Sequence, residues 1–370
     1  MPGLYVHIPF CKSRCIYCGF YSTTESCAAR RYVDALCGEI ELRRDYLGEA
    51  PQTIYLGGGT PSQLSPELLS RLFGAIDTGK AEEVTVECNP DDVTPQLAQA
   101  LAGLHVDRVS MGAQTFDDAR LRFIRRRHNA AEVGRAVETL RRAGIGNISI
   151  DLIYGFPGET PGQWAADIER ALALEPDHIS AYCLSFEEGT PLYSMLRRGL
   201  VAEADEETCR QMYDDLACRM EAAGYEHYEI SNFALPGRRS RHNGNYWREV
   251  PYMGIGAAAH SYDGGSRQWN VADVDKYIEA IGHGVVPMER EVLDERARYN
   301  DRVMLSLRTC EGIDLDKLCS DFGRHYLSVC LQAAGKYIAD GLLERRGGRL
   351  RLTRRGIFVS DMIMSDLMDV

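Results

Sequence analysis

The chain has 370 residues, a net charge of −12, and 45% hydrophobic against 26% charged residues, the balance of an ordinary globular protein. The negative charge argues against general binding to nucleic acid, which needs a positive footprint. No apolar run approaches the ~20 residues of an integral membrane segment, and the start, MPGLYVH, has neither the basic nor the apolar region of a secretory leader, so a cytoplasmic location is expected.

Taken in chain order, short β-rich runs fall at residues 4–8, 53–56, 83–87, 108–111, 147–153 and 177–183. Helical stripes lie between them: Val33, Leu36, Cys37 and Ile40; Leu68, Leu69, Leu72, Phe73 and Ile76; Val133, Ala136, Val137 and Leu140. Ser65-Pro66, Thr94-Pro95 and Thr160-Pro161 each set a capping hydroxyl before a first-turn proline. Gly144 and Gly224 fit helix ends. Residues 203–207, EADEE, read as a solvated helix start. Residues 231–270 are rich in Gly, Asn, His and aromatics. From about residue 297, two helical patterns lead to a hairpin turning at Gly347-Gly348.

Alternating strands and helices predict a parallel sheet covered by helices. The fold class is α/β: a partial (β/α)6 TIM-like barrel with a small helical, winged-helix-like C-terminal domain. The expected division is 1–230 for the barrel, 231–290 for a Gly/aromatic-rich segment packed on it, and 291–370 for the C-terminal domain. Functional residues of such a sheet belong where strands end.

Cys11, Cys15 and Cys18 follow a C-x3-C-x2-C spacing right after the first strand. A disulfide with a spare thiol, an incomplete zinc site and an iron–sulfur site are the alternatives. Zinc wants four ligands, and the nearest extra candidates, His7 and Cys27, stand at no familiar spacing. A [4Fe–4S] cluster on three thiolates leaves one iron free for another ligand. The scattered cysteines (Cys27, Cys37, Cys88, Cys183, Cys209, Cys218, Cys310, Cys319 and Cys330) are expected mostly as buried apolar residues.

The other motifs also fall at strand ends: LGGGTP at 56–61, ECNP at 87–90, GAQTF at 112–116, and Asp151. Glycines 57–59 allow close approach to the backbone. No Gly-Lys-Ser/Thr follows, which argues against a nucleotide-phosphate loop. Alone, Glu87 or Asp151 reads as a helix cap and Arg126, inside RRR, as a solvated face.

The three cysteines with Tyr17 between them, followed by GGGTP, resemble the radical S-adenosylmethionine (SAM) superfamily. The string YVHIPFCKSRCIYC is similar to the oxygen-independent coproporphyrinogen III oxidases and their haem-chaperone relatives. The resemblance continues in order through VECNP, SMGAQTF and DLIYGFPGET, so it covers most of the chain. It implies that Cys11, Cys15 and Cys18 ligate the cluster and that the open iron binds the methionine end of SAM. It implies further that Tyr5, Tyr17, Gly58, Gly59, Thr60, Glu87, Gln114, Arg126 and Asp151 contact SAM, with Arg126 suited to its carboxylate. The implied chemistry is reductive cleavage of SAM to a 5′-deoxyadenosyl radical, with an electron donor for the cluster.

Three features point to the haem-chaperone branch. The oxidases carry a C-x-C where this chain has Cys18-Gly19-Phe20; they carry an N-terminal extension; and residues 242–247 read HNGNYW. The resemblance therefore implies haem binding by His242, Tyr246 and Trp247, with His242 on the iron, delivery to haem-accepting proteins, and a possible homodimer. His260, in GIGAAAHSY, is a weaker candidate for a second ligand. An oxidase that decarboxylates two propionates, or a methyltransferase acting on a tetrapyrrole, is the alternative, so enzyme and carrier both stay open. The six arginines between 345 and 355 suggest a DNA-binding wing, which the related proteins' use of this region for packing disfavours.

Overall fold

Apolar and polar residues alternate along the first six strands of the structure, a computed structural model that describes residues 2–369. These are β1 (Gly3–Ile8), β2 (Thr53–Gly58), β3 (Glu83–Cys88), β4 (Arg108–Gln114), β5 (Asn147–Tyr154) and β6 (His178–Cys183). They run parallel and lie side by side in chain order. One face carries Leu4, Val6, Ile8, Ile54, Leu56, Val84, Val86, Val109, Met111, Ile148, Ile150 and Ile179, which form the main core. Helices Ala29–Leu42, Pro66–Phe73, Pro95–Gly103, Ala130–Arg142 and Pro161–Leu172 cover that face. Each such buried side chain contributes about 1.5–3 kcal/mol of transfer free energy. The opposite face carries Tyr5, His7, Thr53, Tyr55, Glu83, Glu87, Arg108, Ser110, Ser149, Asp151, His178 and Ser180, a polar lining that a parallel strand buried on both faces does not have.

The helix signals act as expected. Ser65 accepts from Leu68 N, Thr94 from Leu97 N, and Thr160 from Gln163 N. Gly144 and Gly224 close their helices at φ 93° and 86°. Asp205 of the acidic run caps helix Glu206–Ala222.

Residues beyond β6 extend the same sheet at both edges. The hairpin β7 (Glu226–Glu229) and β8 (Asn232–Ala234) pairs antiparallel with β6. At the other edge β9 (Tyr252–Ile255) runs parallel to β1, and β10 (His260–Tyr262), β11 (Ser266–Asn270) and β12 (Met288–Val292) follow as an antiparallel meander. The whole is a twelve-stranded sheet. Buried Arg43 ties the meander to the barrel, donating to Gly254 O, Ser261 Oγ and Gln268 Oε1 at 2.9–3.2 Å.

A second core gathers Tyr299, Val303, Leu307, Leu318, Phe322, Tyr337, Leu350 and Ile363 from helices Glu295–Leu307, Leu315–Ala339 and Ser360–Leu367 and the wing β13 (Ile313–Asp314), β14 (Leu343–Arg346) and β15 (Arg349–Leu352). Gly347 and Gly348, at φ 57° and 75°, supply the tight turn. Among the described residues no helix is long and apolar enough to cross a membrane.

The scattered cysteines correct the expectation of burial. Only Cys88, Cys209 and Cys330 are buried, whereas Cys27, Cys183, Cys218 and Cys310 are exposed. Their helices and strand ends present them on outer faces, where apolarity of a thiol alone does not decide burial.

Candidate functional site

The cysteine loop is held at the C-terminal mouth of the strands by three anchors. Ile16, 3% exposed, plugs a small cluster with Ile124, Ile153, Phe156, Leu184 and Leu192. Its backbone N donates to Ile124 O at 3.4 Å and its carbonyl accepts from Leu192 N at 2.9 Å. At the loop's stem, Cys11 N donates to Thr23 O and Thr23 N to Pro9 O, both at 2.8 Å. Gly59 N donates to Ile8 O at 2.8 Å, so the ends of β1 and β2 lie against each other. A Cβ on Gly59 would stand 2.7–2.9 Å from main-chain atoms of Ile8, Pro9 and Phe10. Only glycine fits there.

Around the half-buried thiols stand donors. Thr60 Oγ1 donates to Cys11 Sγ at 3.5 Å and Arg126 Nη1 to Cys15 Sγ at 3.8 Å. Arg126 also donates from Nη2 to Gly112 O, and its Nε has no partner. Arg125 and Arg127 beside it are exposed while Arg126 turns inward, so the RRR run is not simply a solvated face. Gly112 leaves room for two groups: a Cβ there would lie 2.6 Å from Gln114 Nε2 and 2.8 Å from Arg126 Nη2. The backbone bulges between Gly112 and Gln114, and Gln114 takes φ 65°, an uncommon conformation for a residue with a side chain. Tyr17 sits half-buried within the loop, its hydroxyl held protonated by burial and by Cys15.

Glu87 and Asp151 point into the sheet's polar face and cap no helix. Glu87 accepts from Tyr55 hydroxyl at 2.7 Å and from Gly58 N at 3.2 Å. Burial lifts its carboxyl to about 7 against those bonds. Asp151 accepts from Ser110 Oγ at 3.1 Å, and burial raises its carboxyl too. Tyr5 meets His7 Nδ1 at 3.0 Å, while His7 Nε2 meets Tyr21 O at 3.0 Å. A carbonyl only accepts, so Nε2 carries the proton and Nδ1 accepts from Tyr5. Gly58, at φ 106°, lies over the His7 ring, where a Cβ would come within 2.4 Å.

His242, Tyr246 and Trp247 lie at the opposite end. Helix Arg241–Trp247 closes the floor of the polar face. Glu83 accepts from Arg241 N at 2.8 Å and His242 N at 2.9 Å, a carboxylate on a helix N-terminus. The His242 ring is 1% exposed, stacks on Tyr55 at 5.2 Å, and bonds Thr53 Oγ1 at 2.9 Å and Tyr246 hydroxyl at 2.8 Å. Burial, with Arg108 nearby, pushes its pKa down to about 3. Its two ring nitrogens are thus engaged by the Thr53 and Tyr246 hydroxyls. Trp247 carries Arg308 over its ring at 5.0 Å. Thus Thr60 and Arg126 reach the cysteines at the mouth, Tyr5, Glu87 and Asp151 lie lower on the polar face, and Tyr55 links Glu87 to His242 at the floor.

The radical SAM superfamily profile matches residues 5–171, and that of the HemN C-terminal domain residues 293–359. The chain is 37% identical over 363 residues to the heme chaperone HemW of Lactococcus lactis subsp. lactis (strain IL1403), covering 95% of this chain and 93% of that one. The chain belongs to the HemW family of the radical SAM superfamily. Similarity to the heme chaperone HemW of Bacillus subtilis (strain 168) is 34%, over 96% of both chains. Among solved structures, coproporphyrinogen III oxidase (HemN) from Escherichia coli superposes with a TM-score of 0.85 at 22% identity, over 99% of this chain and 90% of that one, which shows the shared fold.

The HemW family's superfamily implies a [4Fe–4S] cluster and SAM. Among the described residues no three His, Cys, Asp or Glu side chains are placed to hold a single metal ion. A cluster takes each thiolate on a different iron, so its three ligands need not converge. The unpartnered Arg126 Nε, the half-buried thiols and the glycine approach of β2 fit such a group.

Sequence reasoning overlooked several residues of the lining. Arg108, 1% exposed at the start of β4, has unpartnered Nε and Nη1 in the sheet's polar face. Tyr55 links the floor to Glu87. Glu159 accepts from Gly155 N at 2.8 Å and pairs with Arg120, which also reaches Asp167 at 3.1 Å, so the loops after β4 and β5 are clamped together. Period-two polar residues in otherwise apolar parallel strands are the signal that would have found the first two.

Proposed function

We propose that this chain is a haem chaperone that binds haem, holds a [4Fe–4S] cluster with SAM, and passes haem to acceptor proteins. The observation that carries this reading is similarity along nearly the full chain to proteins named as heme chaperones. Cys11, Cys15 and Cys18 would hold the cluster. Tyr5, Tyr17, Gly58, Gly59, Thr60, Glu87, Gln114, Arg126 and Asp151 would hold SAM. When bound, this pair supplies one-electron reductive cleavage of a carbon–sulfur bond, fed by a separate electron donor. The chain's own groups prepare the site. Arg126 offers its free Nε to a carboxylate. Glu87 and Asp151 offer acceptors to hydroxyl and amine groups while they pin Gly58 and Ser110. Ile16 and its cluster keep water from one side of the loop. Twelve free thiols suit a reducing compartment such as the cytoplasm, and sedimentation of the reconstituted protein tests the homodimer.

The test is anaerobic titration of the cluster-reconstituted chain with haem, followed by transfer to apomyoglobin, beside an assay with coproporphyrinogen III and SAM. Haem binding and transfer without decarboxylated product are expected. Protoporphyrinogen formation would overturn the reading in favour of the oxidase, and a methylated ring in favour of a methyltransferase.

A further inference from the structure

The thiols outside the cysteine loop differ in what they face. Cys37 meets the Arg71 carbonyl, and Cys218 and Cys310 meet the guanidinium groups of Arg354 and Arg239. Cys183 and Cys209 meet each other: the S–H of Cys183 donates to Cys209 Sγ at 3.8 Å.

Ordinary periodicity brings the two together. Side chains alternate along a strand, so Ile179, Ala181 and Cys183 of β6 share the face that helices cover, and the first two lie in the main core. Cys183 ends that row at the mouth, where it is exposed. Cys209 lies near the start of helix Glu206–Ala222, buried on the stripe with Met212, Tyr213 and Leu216 that packs into the same core. Gly155, at φ 78° just past β5, makes room for the pair. A Cβ there would stand 3.2 Å from Cys183 Sγ and 3.3 Å from Cys209 Sγ. The backbone around the pair is tied down: Leu184 N donates to Tyr154 O at 2.8 Å, Cys209 N to Asp205 O at 3.0 Å, and Gly155 N to Glu159 at 2.8 Å. A disulfide holds its sulfurs about 2.05 Å apart. The two thiols therefore have under about 2 Å to close, the scale of a side-chain rotation and not of a backbone rearrangement.

The chain between the two residues gives such a bond a consequence. Residues 184–208 carry Leu184 and Leu192, which pack with Ile16 of the cysteine loop, and Leu192 N donates to Ile16 O at 2.9 Å. Helix Pro191–Arg197 lies in this segment, and Arg197 and Arg198 at its end are exposed. A bond from 183 to 209 closes a ring around this wall and restricts its local opening.

We propose that Cys183 and Cys209 form a reversible disulfide when a small-molecule disulfide is in excess over its thiol, and that this bond tightens the wall on which the cysteine loop rests. Exposed Cys183 attacks the small disulfide, forms a mixed disulfide and displaces one thiolate. Cys209 then attacks Cys183 Sγ and displaces the second. The protons of the two cysteines end on the two released thiolates. The cysteine pair gives up two electrons, and the small disulfide takes them as its own S–S bond breaks. Excess thiol runs both steps backwards.

The experiment treats the anaerobically reconstituted chain with oxidised glutathione, alkylates the remaining thiols and maps the peptides by mass. The unaltered chain is expected to yield the peptides of Cys183 and Cys209 joined to each other, and dithiothreitol to separate them. Trypsin is expected to cut at Arg197 and Arg198 several-fold more slowly in the joined chain, since cutting tracks local opening. Cys183→Ser and Cys209→Ser, each checked for folding by circular dichroism, are expected to yield no joined peptide and to be cut equally fast with and without the oxidant. Cys183 and Cys209 found alkylated, or left as glutathione adducts, overturn the proposal. Joined peptides with an unchanged rate of cutting overturn it as well. The crosslink is read without haem, so its failure is separate from any failure of the haem-chaperone reading.

Discussion

The mouth and the floor of the barrel are built from the same polar residue types and arranged to opposite ends. At the floor His242, Thr53, Tyr246 and Glu83 satisfy one another, and His242 is 1% exposed. At the mouth the thiols are half-buried, Arg126 Nε is unpartnered, and Gln114 sits at φ 65°. The bonds among these four side chains and the helix tie the floor to β2 and β3, while Arg108 Nε and Nη1 and Trp247 Nε1 there stay unpartnered. Incomplete bonding and unusual backbone mark surfaces that wait for a ligand. The difference teaches that the same residue types can bond one another or keep groups open, according to what packs beside them.

The mouth breaks most completely through its thiols. Cys11→Ser, Cys15→Ser and Cys18→Ser are each expected to bring bound iron and sulfide after anaerobic reconstitution close to background. The apo chains should melt within a few degrees of the unaltered one, since the thiols are half-buried and bonds such as those from Thr60 and Arg126 are long. A variant that retained full iron and sulfide would remove its cysteine from the ligand set. Gly59→Ala should act on the same site through the backbone. Its Cβ meets main-chain atoms at 2.7–2.9 Å, and such overpacking costs about 1–3 kcal/mol. Reconstituted iron should fall several-fold, and full occupancy would show that the loop shifts freely.

The floor breaks as structure. His242→Ala leaves Thr53 and Tyr246 hydroxyls short of a partner and a void under Tyr55, a loss of about 2–5 kcal/mol. Urea unfolding of the apo chain measures it. A change under about 0.5 kcal/mol would remove the strut.

Glu87 joins the two ends and carries a pH signature. Its folded-state carboxyl titrates at about 7, above the roughly 4.3 of an unfolded chain. Between those values the folded chain binds the proton and the unfolded chain does not. Stability therefore falls as pH rises through this window and levels off above it. The contribution is about 1–3 kcal/mol once partial solvent access is allowed for. Glu87→Gln keeps an acceptor for Tyr55 and should flatten that part of the stability profile between pH 5 and 8, measured by urea midpoints. Parallel profiles for both chains would place the proton elsewhere.

Much of this was legible before the fold was seen, and the limits have physical causes. The six central strands, the capped helices and the Gly347-Gly348 hairpin follow from local rules of period, capping and turn geometry. The cysteine loop and the GGGTP turn were legible because ligand contact and close backbone approach demand particular residues at fixed spacing. The surroundings of His242 were not legible because a sequence shows the residue and not its partners: Thr53 and Tyr55, nearly 190 residues away, bond and stack on its ring. The edge strands β9–β12 escaped because Gly- and Asn-rich segments pair through the backbone, which leaves little side-chain period. Arg108 and Tyr55 escaped because residues 53–56 and 108–111 were read only as short β-rich runs, without asking which face each side chain takes.

The smallest expected effect sharpens the contrast between glycines at the two ends. Gly244 lies inside the floor helix without a positive φ, and the nearest atom to a Cβ there is Arg248 Nη2 at 3.7 Å. Nothing in the folded chain requires glycine, whereas unfolded glycine has the most freedom to lose. Gly244→Ala should therefore stabilise the chain by about 0.5–1 kcal/mol, with an unchanged denaturant slope and unchanged iron content. Gly59→Ala should do the reverse on both counts. If Gly244→Ala instead destabilises, the helix carries strain that its backbone does not show, and the floor depends on the flexibility of that turn as well as on the bonds of His242.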